Sequence, residues 1–398
     1  MSRQQNRGEA LPLSGVVVAD FSRILAGPLC TMILADLGAD VIKIERPAGG
    51  DDTRSWGPPF VDGGDAAYFL ALNRNKRSIA LDLKDPEDLH VAREIIGRAD
   101  LVVENFRPGV MTSFGLDYDS VSTGNPRLVY CSIPAFAGSS DGSVLPGYDL
   151  LMQAQTGYMS FTGESGGEPV KMGVAILDVV AGLYAAIAVL AALRERDNSG
   201  HGRPVRVGLY EASIAALVNQ AANYLLGGSV PVAAGNAHPN IVPYQAFSAA
   251  DGQFVLAGGN DKLFRAACAA VGLLDIADAP DYATNAMRVA NREPLIAKLQ
   301  EVFSTSTVEH WMKVLREAGV PAAPVLSIDQ VFASPEANTM VSSVPDPLRG
   351  MLRLVRSPLG NIGLSEDETR PPPLLGEHDQ EIKAWIKETG TAAEEGET

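Results

Sequence analysis

The chain has 398 residues, of which 46% are hydrophobic and 20% charged, and its formal net charge is −16 at pH 7. The length predicts two or more domains, and the composition is typical of folded globular proteins rather than of disordered chains. An acidic surface repels nucleic-acid phosphates and anionic lipid headgroups, so neither nucleic acid nor a membrane is an expected partner.

The cysteines and histidines indicate the cellular compartment and whether a metal site is expected. Cys30, Cys131 and Cys268 are odd in number and widely spaced, which argues against a disulfide framework and for a reducing environment. The first residues contain no apolar segment of the kind found in secretory signals. None of the five histidines is paired at metal-ligand spacing. We therefore expect a cytoplasmic protein without a metal site.

Strands and helices alternate in the N-terminal half. One helix is predicted to open at Pro28, and another begins after the N-cap Asp85 with Pro86 at its first position. Strands separated by helices imply a parallel sheet with right-handed crossovers, and hence an α/β fold. The predicted strands are GVVVADF, DVIKIER, SIALDLK, DLVVENF, RLVYCSI and, after a long apolar segment, PVRVGLYE.

The composition changes from about residue 229, where Gly, Pro and Asn become frequent. The segments YQAF and QFVLAG predict a short strand pair across an Asp-Gly turn. Three amphipathic helices follow, in DKLFRAACAAVG, REPLIAKLQEVFS and TVEHWMKVLREAG, so we expect a smaller α+β domain. A single long helix is predicted before the change, in EASIAALVNQAANYLLG, and the acidic tail TGTAAEEGET is predicted to be disordered.

The most apolar segment, residues 174–193, contains one charged side chain, Asp178. Its uncharged part would span roughly 22 Å as a helix against about 30 Å of hydrocarbon, so a helix buried on every side is expected instead of a membrane span. Asp178 has two interpretations, an N-cap and a nucleophile toward an activated acyl group, and Asp149 shares the ambiguity. We expect the helix dipole to keep Asp178 ionised despite partial burial.

Basic residues flank predicted strand ends in this acidic chain. Arg46, Lys84 and Arg107 would lie at carboxyl ends of strands, where open α/β sheets bind ligands, and they are candidate phosphate contacts. The alternative for each is solvated surface charge. No G-x-G-x-x-G follows the first strand, which disfavours an NAD-type site.

Several ordered motifs together resemble family III CoA-transferases, which include formyl-CoA and carnitine CoA-transferases and α-methylacyl-CoA racemases. They are LSGVVVADFSRILAGPLCTMILADLGADVIKIERP, LNRNKRSIALDLK, VENFRPG, GYDLLMQAQTG and GVAILDVVAGLYA. The resemblance covers nearly the whole chain. It implies a Rossmann-like large domain, a smaller α+β domain, and a ring-shaped chain that forms an interlocked homodimer. The implied ranges are 1–210 for the first part of the large CoA-binding domain, 211–240 for a linker, 241–318 for the small domain, 319–340 for a return linker, and 341–398 for the rest of the large domain with the acidic tail.

The resemblance also implies the chemistry. Asp178 matches the catalytic aspartate, which attacks an acyl-CoA thioester and later carries CoA as an aspartyl thioester, and Asp149 matches an acidic residue that supports it. Asn236 and His238, in GNAHPNIVPYQAF, are expected to line the substrate site. The implied CoA contacts are Leu25, Ala26, Arg46, Leu81, Asp82, Leu83, Lys84, Asn105, Phe106, Arg107 and Tyr148.

Three functions follow from the resemblance. Tyr148 stands where the racemase branch has a basic His, and tyrosine is a poor base at neutral pH, so CoA transfer is favoured over 2-methylacyl-CoA racemisation. GDDTRSWGPPF, AANYLLG and IVPYQAF look most like the branch that uses succinyl-CoA and short dicarboxylic acids. A non-catalytic CoA-binding partner subunit is the other alternative, and the presence of Asp178 argues against it.

Overall fold

The structure is a computed structural model that describes residues 10–138 and 147–395, with side chains as far as residue 388. The chain divides into two compact units. The first is discontinuous and comprises Met1–Thr156, Met172–Leu226 and Asn338–Thr398, while the second comprises Gly157–Lys171 and Gly227–Ala337. The sequence did not predict that residues 157–171 group with the second unit. The predicted domain ranges otherwise stay predictions.

A six-stranded parallel sheet forms the centre of the first unit, in the order β3-β2-β1-β4-β5-β6. All six strands were predicted from short apolar runs between turn signals, and the predicted α/β class is confirmed. Strands β2 and β3 lie on one side of β1, and β4, β5 and β6 lie on the other. The sheet therefore has a topological switch point between β1 and β4. The six strands are β1 Val17–Asp20, β2 Asp40–Glu45, β3 Lys76–Ala80, β4 Leu101–Glu104, β5 Val129–Ser132 and β6 Pro204–Arg206.

The helices of both units, in chain order, are α1 Ala26–Asp36, α2 Ala67–Leu70, α3 Pro86–Arg98, α4 Val110–Ser113, α5 Tyr118–Val121, α6 Asp149–Gln155, α7 Tyr158–Phe161, α8 Ile176–Ser199, α9 Leu209–Ala215, α10 Val218–Gly227, α11 Asp261–Ala270, α12 Leu274–Asp278, α13 Asn285–Ala290, α14 Arg292–Phe303, α15 Val308–Glu317, α16 Ile328–Ala333, α17 Pro335–Asn338 and α18 Asp379–Glu395. Asp85 caps α3 by accepting hydrogen bonds from the backbone N–H groups of Glu87 and Asp88, as predicted.

Two helix predictions need correction. Helix α1 begins at Ala26, two residues before Pro28. The single helix predicted over 211–227, inside the predicted linker 211–240, is two helices, α9 and α10, and Val218 at the start of α10 has a φ of +43°. A β-branched residue rarely adopts a left-handed conformation, and this one interrupts a helix that the apolar pattern alone would continue.

Helix α8 packs against α1 through small residues. A Cβ built on Gly182 would lie 2.7 Å from the backbone oxygen of Ala26, so only glycine permits this approach. Burial of α8 on every side was expected and is wrong, because Leu183, Tyr184 and Ile187 are exposed, Ile187 by 63%. Among the described residues, α8 is the one helix long and apolar enough to cross a membrane, and one of its faces is buried in this unit.

The last part of the first unit contributes a hairpin and a helix. Strands β10 Val341–Asp346 and β11 Gly350–Val355 pair antiparallel. The buried Arg349 guanidinium at their turn donates to Asp65 at 3.0 Å, and so ties the hairpin to the segment before α2. Helix α18 runs on to Glu395, so the acidic tail is helical up to there where disorder was predicted. Its alanines and glutamates are strong helix formers.

The second unit is an α+β unit with its own core. Strands β7 Tyr244–Ser248, β8 Gln253–Ala257 and β9 Ala322–Pro324 form an antiparallel sheet. The predicted strand pair and the three predicted helices, here α11, α14 and α15, are confirmed. Phe247, Phe254 and Phe303 pack together with ring centroids 4.9 to 6.3 Å apart and form the centre of this core.

Candidate active site

The predicted CoA contacts line two adjoining cavities in the first unit, at the carboxyl ends of β1 and β4 beside the switch point. Arg23 and Phe106 line both cavities, so the two form one groove. The cavity that contains Asp178 is also lined by Leu25, Ala26, Asn105, Phe106, Arg107 and Tyr148. The other cavity is lined by Arg46, Leu81, Asp82, Leu83 and Lys84. The structure thus brings all eleven predicted CoA contacts and Asp178 to one groove.

The loops after β1 and β4 are joined by Asn105. Its side-chain amide donates to the Arg23 oxygen at 2.7 Å and accepts from the Arg23 N–H at 2.9 Å. The Arg23 guanidinium lies 5.5 Å from the centre of the Phe106 ring, in cation–π geometry. Asn105 therefore positions both loops where the two cavities meet.

Positive charge at the groove comes from exposed side chains. Arg46 donates to Asp52 at 2.6 Å, and Arg23 donates to the same carboxylate at 3.1 Å. Exposed ion pairs of this kind contribute little to stability, so phosphate oxygens can compete with Asp52 for both guanidinium groups.

Asp149 caps helix α8. One carboxylate oxygen of Asp149 accepts from the backbone N–H groups of Leu177 at 2.8 Å and Asp178 at 3.3 Å, and the other accepts from Gln153 at 2.5 Å. The N-cap residue by position is Ala175, and Asp178 lies in the first turn. The capping interpretation of Asp178 is therefore wrong, because the capping carboxylate comes from the start of α6. None of the described residues donates a hydrogen bond to the Asp178 carboxylate.

The protonation of Asp178 is set by its surroundings. Burial, and then the charge of Asp149, raise the pKa of Asp178 to about 7. Desolvation and the second carboxylate both oppose the helix dipole, so the expectation that the dipole keeps Asp178 ionised stays a prediction. A partly desolvated carboxylate with raised basicity is a stronger nucleophile than a solvated one.

Tyr68, which the sequence analysis did not identify, lies close enough to Asp178 and Asp149 to be affected by their charges. Burial and then the charges of Asp178 and Asp149 raise the pKa of the Tyr68 phenol. Trp56 packs edge-on against the Tyr68 ring, with centroids 5.6 Å apart. Both aromatic residues belong to the stretch 54–70, which contains no motif that singles out a tyrosine.

Tyr148 lies at the N-cap position of α6, one residue before Asp149, and is 52% exposed. It lines the cavity with Asp178. The described residues that line this cavity include no histidine and no lysine. Among all described residues, no three His, Cys, Asp or Glu side chains are grouped so as to hold a metal ion.

Asn236 and His238 belong to the second unit. Asn236 accepts from the Ala246 N–H at 2.7 Å, and His238 Nδ1 accepts from the Asn240 N–H at 3.1 Å. Burial and then the charge of Arg292 lower the pKa of His238, so its imidazole is neutral at pH 7. Their contact with substrate stays a prediction.

Comparison with known proteins gives consistent matches over the whole length. The profile of CoA-transferase family III matches residues 13–379. The chain is 42% identical over 387 residues to the succinate–glutarate CoA-transferase of Agrobacterium fabrum, covering 94% of this chain and 96% of that protein. It is 40% identical over 381 residues to the succinyl-CoA:glutarate CoA-transferase of Homo sapiens, covering 95% and 87%. A crystal structure of a CAIB/BAIF family protein from Brucella suis superposes with a TM-score of 0.84 at 41% identity, covering 95% of this chain and 100% of that one.

Proposed function

The chain belongs to CoA-transferase family III, and from that premise we propose that it transfers CoA from succinyl-CoA to a short dicarboxylic acid through an aspartyl-CoA thioester on Asp178. One observation carries the proposal. An Asp178 carboxylate without a hydrogen-bond donor among the described residues lines the same groove as all the predicted CoA contacts. The names of the relatives supply the substrate class, since both act on succinate or succinyl-CoA and glutarate.

The first half-reaction loads the enzyme. The Asp178 carboxylate attacks the thioester carbonyl of succinyl-CoA, the C–S bond breaks, and CoA thiolate leaves a mixed anhydride. The thiolate then attacks the aspartyl carbonyl and displaces succinate, which forms the aspartyl-CoA thioester. Charge is conserved in both steps and no net proton is consumed, so the site needs no dedicated general base.

The second half-reaction runs the same steps in reverse order with the acceptor. A carboxylate of the acceptor attacks the aspartyl-CoA carbonyl, and CoA thiolate leaves a second mixed anhydride. The thiolate attacks the acceptor's acyl carbonyl, which forms the new acyl-CoA and regenerates the Asp178 carboxylate. Asp149 fixes the start of α8 and hence the position of Asp178 throughout. Water must stay out, because an anhydride or aspartyl thioester hydrolyses.

The racemase alternative lacks support from the site. Racemisation needs a base on each face of the α-carbon, and a phenol, Tyr148, occupies the position of the second base. The non-catalytic subunit lacks support as well, because Asp178 is present and its surroundings raise its basicity.

We also propose an interlocked homodimer of ring-shaped chains in the cytoplasm. Its support in the first unit is the exposed apolar surface of α8 and α10, where Ile187 is 63% and Leu226 is 89% exposed. Large apolar side chains exposed on the helices of one protomer mark an association surface. A second copy, which carries the same apolar surface, is the occupant that the resemblance implies.

The test is CoA transfer measured by mass spectrometry with succinyl-CoA and a panel of free acids that includes glutarate. We expect glutaryl-CoA from the wild type, and Asp178→Asn should reduce the rate at least about a thousandfold, or roughly 4 kcal/mol of barrier. Hydroxylamine added with succinyl-CoA should convert residue 178 of the wild type to a hydroxamate. Asp197→Asn, which changes an exposed carboxylate on the same helix, is the matched control. Substantial transfer by Asp178→Asn, or no adduct at residue 178, would exclude the proposed nucleophile.

A further inference from the structure

The loop between β1 and α1, residues 21–25, passes beside Asp178 in a strained conformation. It lines both cavities of the groove and leads into the start of α1 at Ala26. Ile24 has a φ of +71°, a left-handed conformation that costs a β-branched residue on the order of 1–3 kcal/mol. The loop keeps this conformation only if its surroundings impose it.

A buried ion pair beneath the loop binds its backbone at two points. The Lys43 ammonium donates to the Ser22 oxygen at 2.9 Å and to Asp51 at 2.9 Å. Both Asp51 oxygens accept from the Ile24 N–H at 3.2 Å. Lys43 therefore binds Ser22 directly, and it stabilises the strained Ile24 through Asp51.

A second buried pair binds backbone at Ser22 and in the first turn of α1. Asp20 accepts from the Ser22 N–H at 3.0 Å, and Lys76 donates to Asp20 at 3.2 Å and to the Pro28 oxygen at 2.9 Å. Four buried charges, two of each sign, thus surround one turn of backbone.

Lys43 and Asp51 both remain charged at neutral pH. Burial lowers the pKa of Lys43, but Asp51 and then Asp20 outweigh it, and the net pKa is raised. Burial raises the pKa of Asp51, but Lys43 and the hydrogen bonds from Thr53 together outweigh it, and the net pKa is about 2. Buried ion pairs are often no more stabilising than apolar residues of the same size. Stability alone is therefore a poor explanation for four charges beneath one strained turn.

We propose that Lys43 and Asp51 are positioning residues of the transfer reaction, which hold the strained Ser22–Ile24 backbone so that Leu25, Ala26 and the start of α1 stay fixed against the thioester carbonyl that Asp178 attacks. The proposal rests on the proposed function for the reaction itself. The Lys43–Asp51 pair, called the clamp below, binds the Ser22 and Ile24 backbone, and in this proposal it acts through the loop.

The test removes both charges at once with Lys43→Met/Asp51→Asn, because either change alone would leave an unpaired charge in the core. The kcat for succinyl-CoA should fall at least about thirtyfold. The KM for succinyl-CoA and the dissociation constant for CoA should stay within about threefold, since Arg46 and residues 81–84 of the same cavity are unchanged and the Lys43 and Asp51 side chains are buried.

The control is Arg77→Met/Asp40→Asn, which removes a partly exposed ion pair between β3 and β2 away from the groove, together with the contact of Arg77 with Glu381. It should lower the melting temperature without the loss of kcat. Adding Ile24→Gly to the clamp variant should restore kcat at least about fivefold, because glycine adopts a positive φ without strain. The melting temperature of each variant, measured alongside kcat, separates this local recovery from a general gain in stability.

Hydrogen exchange separates this proposal from the proposed function. The Ile24 amide, protected by Asp51 in the wild type, should exchange at least about tenfold faster in the clamp variant, whether or not the protein transfers CoA. An unchanged kcat in the clamp variant, an equal loss in the control, no recovery with Ile24→Gly, or unchanged exchange at Ile24 would each overturn the assignment. If the wild type has no transferase activity but Ile24 still exchanges faster in the clamp variant, the proposed function is refuted. The structural role of Lys43 and Asp51 would then remain supported.

Discussion

Asp178 combines two properties that usually exclude each other, partial burial and the need to be ionised. With its pKa raised to about 7 by burial and Asp149, the reactive carboxylate is the minor form below pH 7 and the major form above. We expect kcat/KM for succinyl-CoA to rise about tenfold per pH unit up to pH 7 and to level off above it. Initial rates from pH 5 to 9 measure this, and a midpoint near 4 would contradict it. Asp149→Asn, which removes the second charge, should move the midpoint to lower pH.

The same raised pKa makes Asp178 costly for the fold. The unfolded chain releases this proton near the ordinary pKa of 3.8, whereas the folded chain holds it until about 7. The free energy of unfolding therefore falls as pH rises from about 4 to 7, and the full deficit is present above 7. Asp178→Asn, which carries no charge, should be more stable than the wild type at pH 8 by about 1–3 kcal/mol, and by less at pH 5. Thermal unfolding at both pH values checks this, and an Asn variant less stable than the wild type at pH 8 would contradict it.

The sequence identified the two carboxylates but not which of them caps α8. Local rules place a cap within a few residues of the helix start, and Asp178 satisfies them. The structure supplies the cap from Asp149, 28 residues earlier for the Leu177 contact, through packing of α6 against α8. Tyr68 was missed for the same reason, because only the fold brings it to the carboxylates.

At the scale of elements, the close approach of α1 and α8 sets the distance between the loop and Asp178. Gly182→Ala would place a Cβ 2.7 Å from the Ala26 oxygen, which forces the two helices apart. We expect a loss of about 1–3 kcal/mol of stability and a reduced kcat. Gly97→Ala, in the last turn of α3 with open space where the new Cβ would lie, should be neutral or stabilising. Chemical denaturation of both variants measures the difference, and equal stabilities would remove the packing argument.

Strands were easier to predict than helix surfaces. Strands β1, β2, β4 and β5 are short, mostly apolar runs between turn residues, and their burial on both faces leaves no alternative pattern to choose. Helix α8 is apolar around its whole circumference, so its sequence contains no sign of which face the first unit leaves exposed. The break at Val218 depends on backbone conformation that an unbroken apolar pattern conceals.

At the scale of the whole molecule, the exposed side of α8 tests the proposed homodimer. A glutamate at position 187 would be buried without a partner if that surface is an interface, at a cost of several kcal/mol. Because interlocked chains separate only when one of them unfolds, we expect Ile187→Glu to lower the melting temperature of the dimer, whose mass is measured by light scattering. Leu274→Glu, at an exposed leucine on α12, should leave both mass and melting temperature unchanged. A monomeric wild type, or an Ile187→Glu dimer with the melting temperature of the wild type, would contradict the proposed interface.

The discontinuity of the first unit has a consequence for biosynthesis. The residues after strand β3 line the groove, and the strand and the residue before it contact the C-terminal part of the chain: Asn75 contacts Arg370, and Ser78 contacts His378. Asp65 likewise pairs with Arg349, which is 284 residues later. At about 5–20 residues per second, a ribosome needs roughly 15–60 seconds to connect those ends. Residues of the groove are therefore translated early, but their supporting contacts form late. During that interval the nascent chain exposes Asp65 and the edge of the sheet to other molecules in the cell.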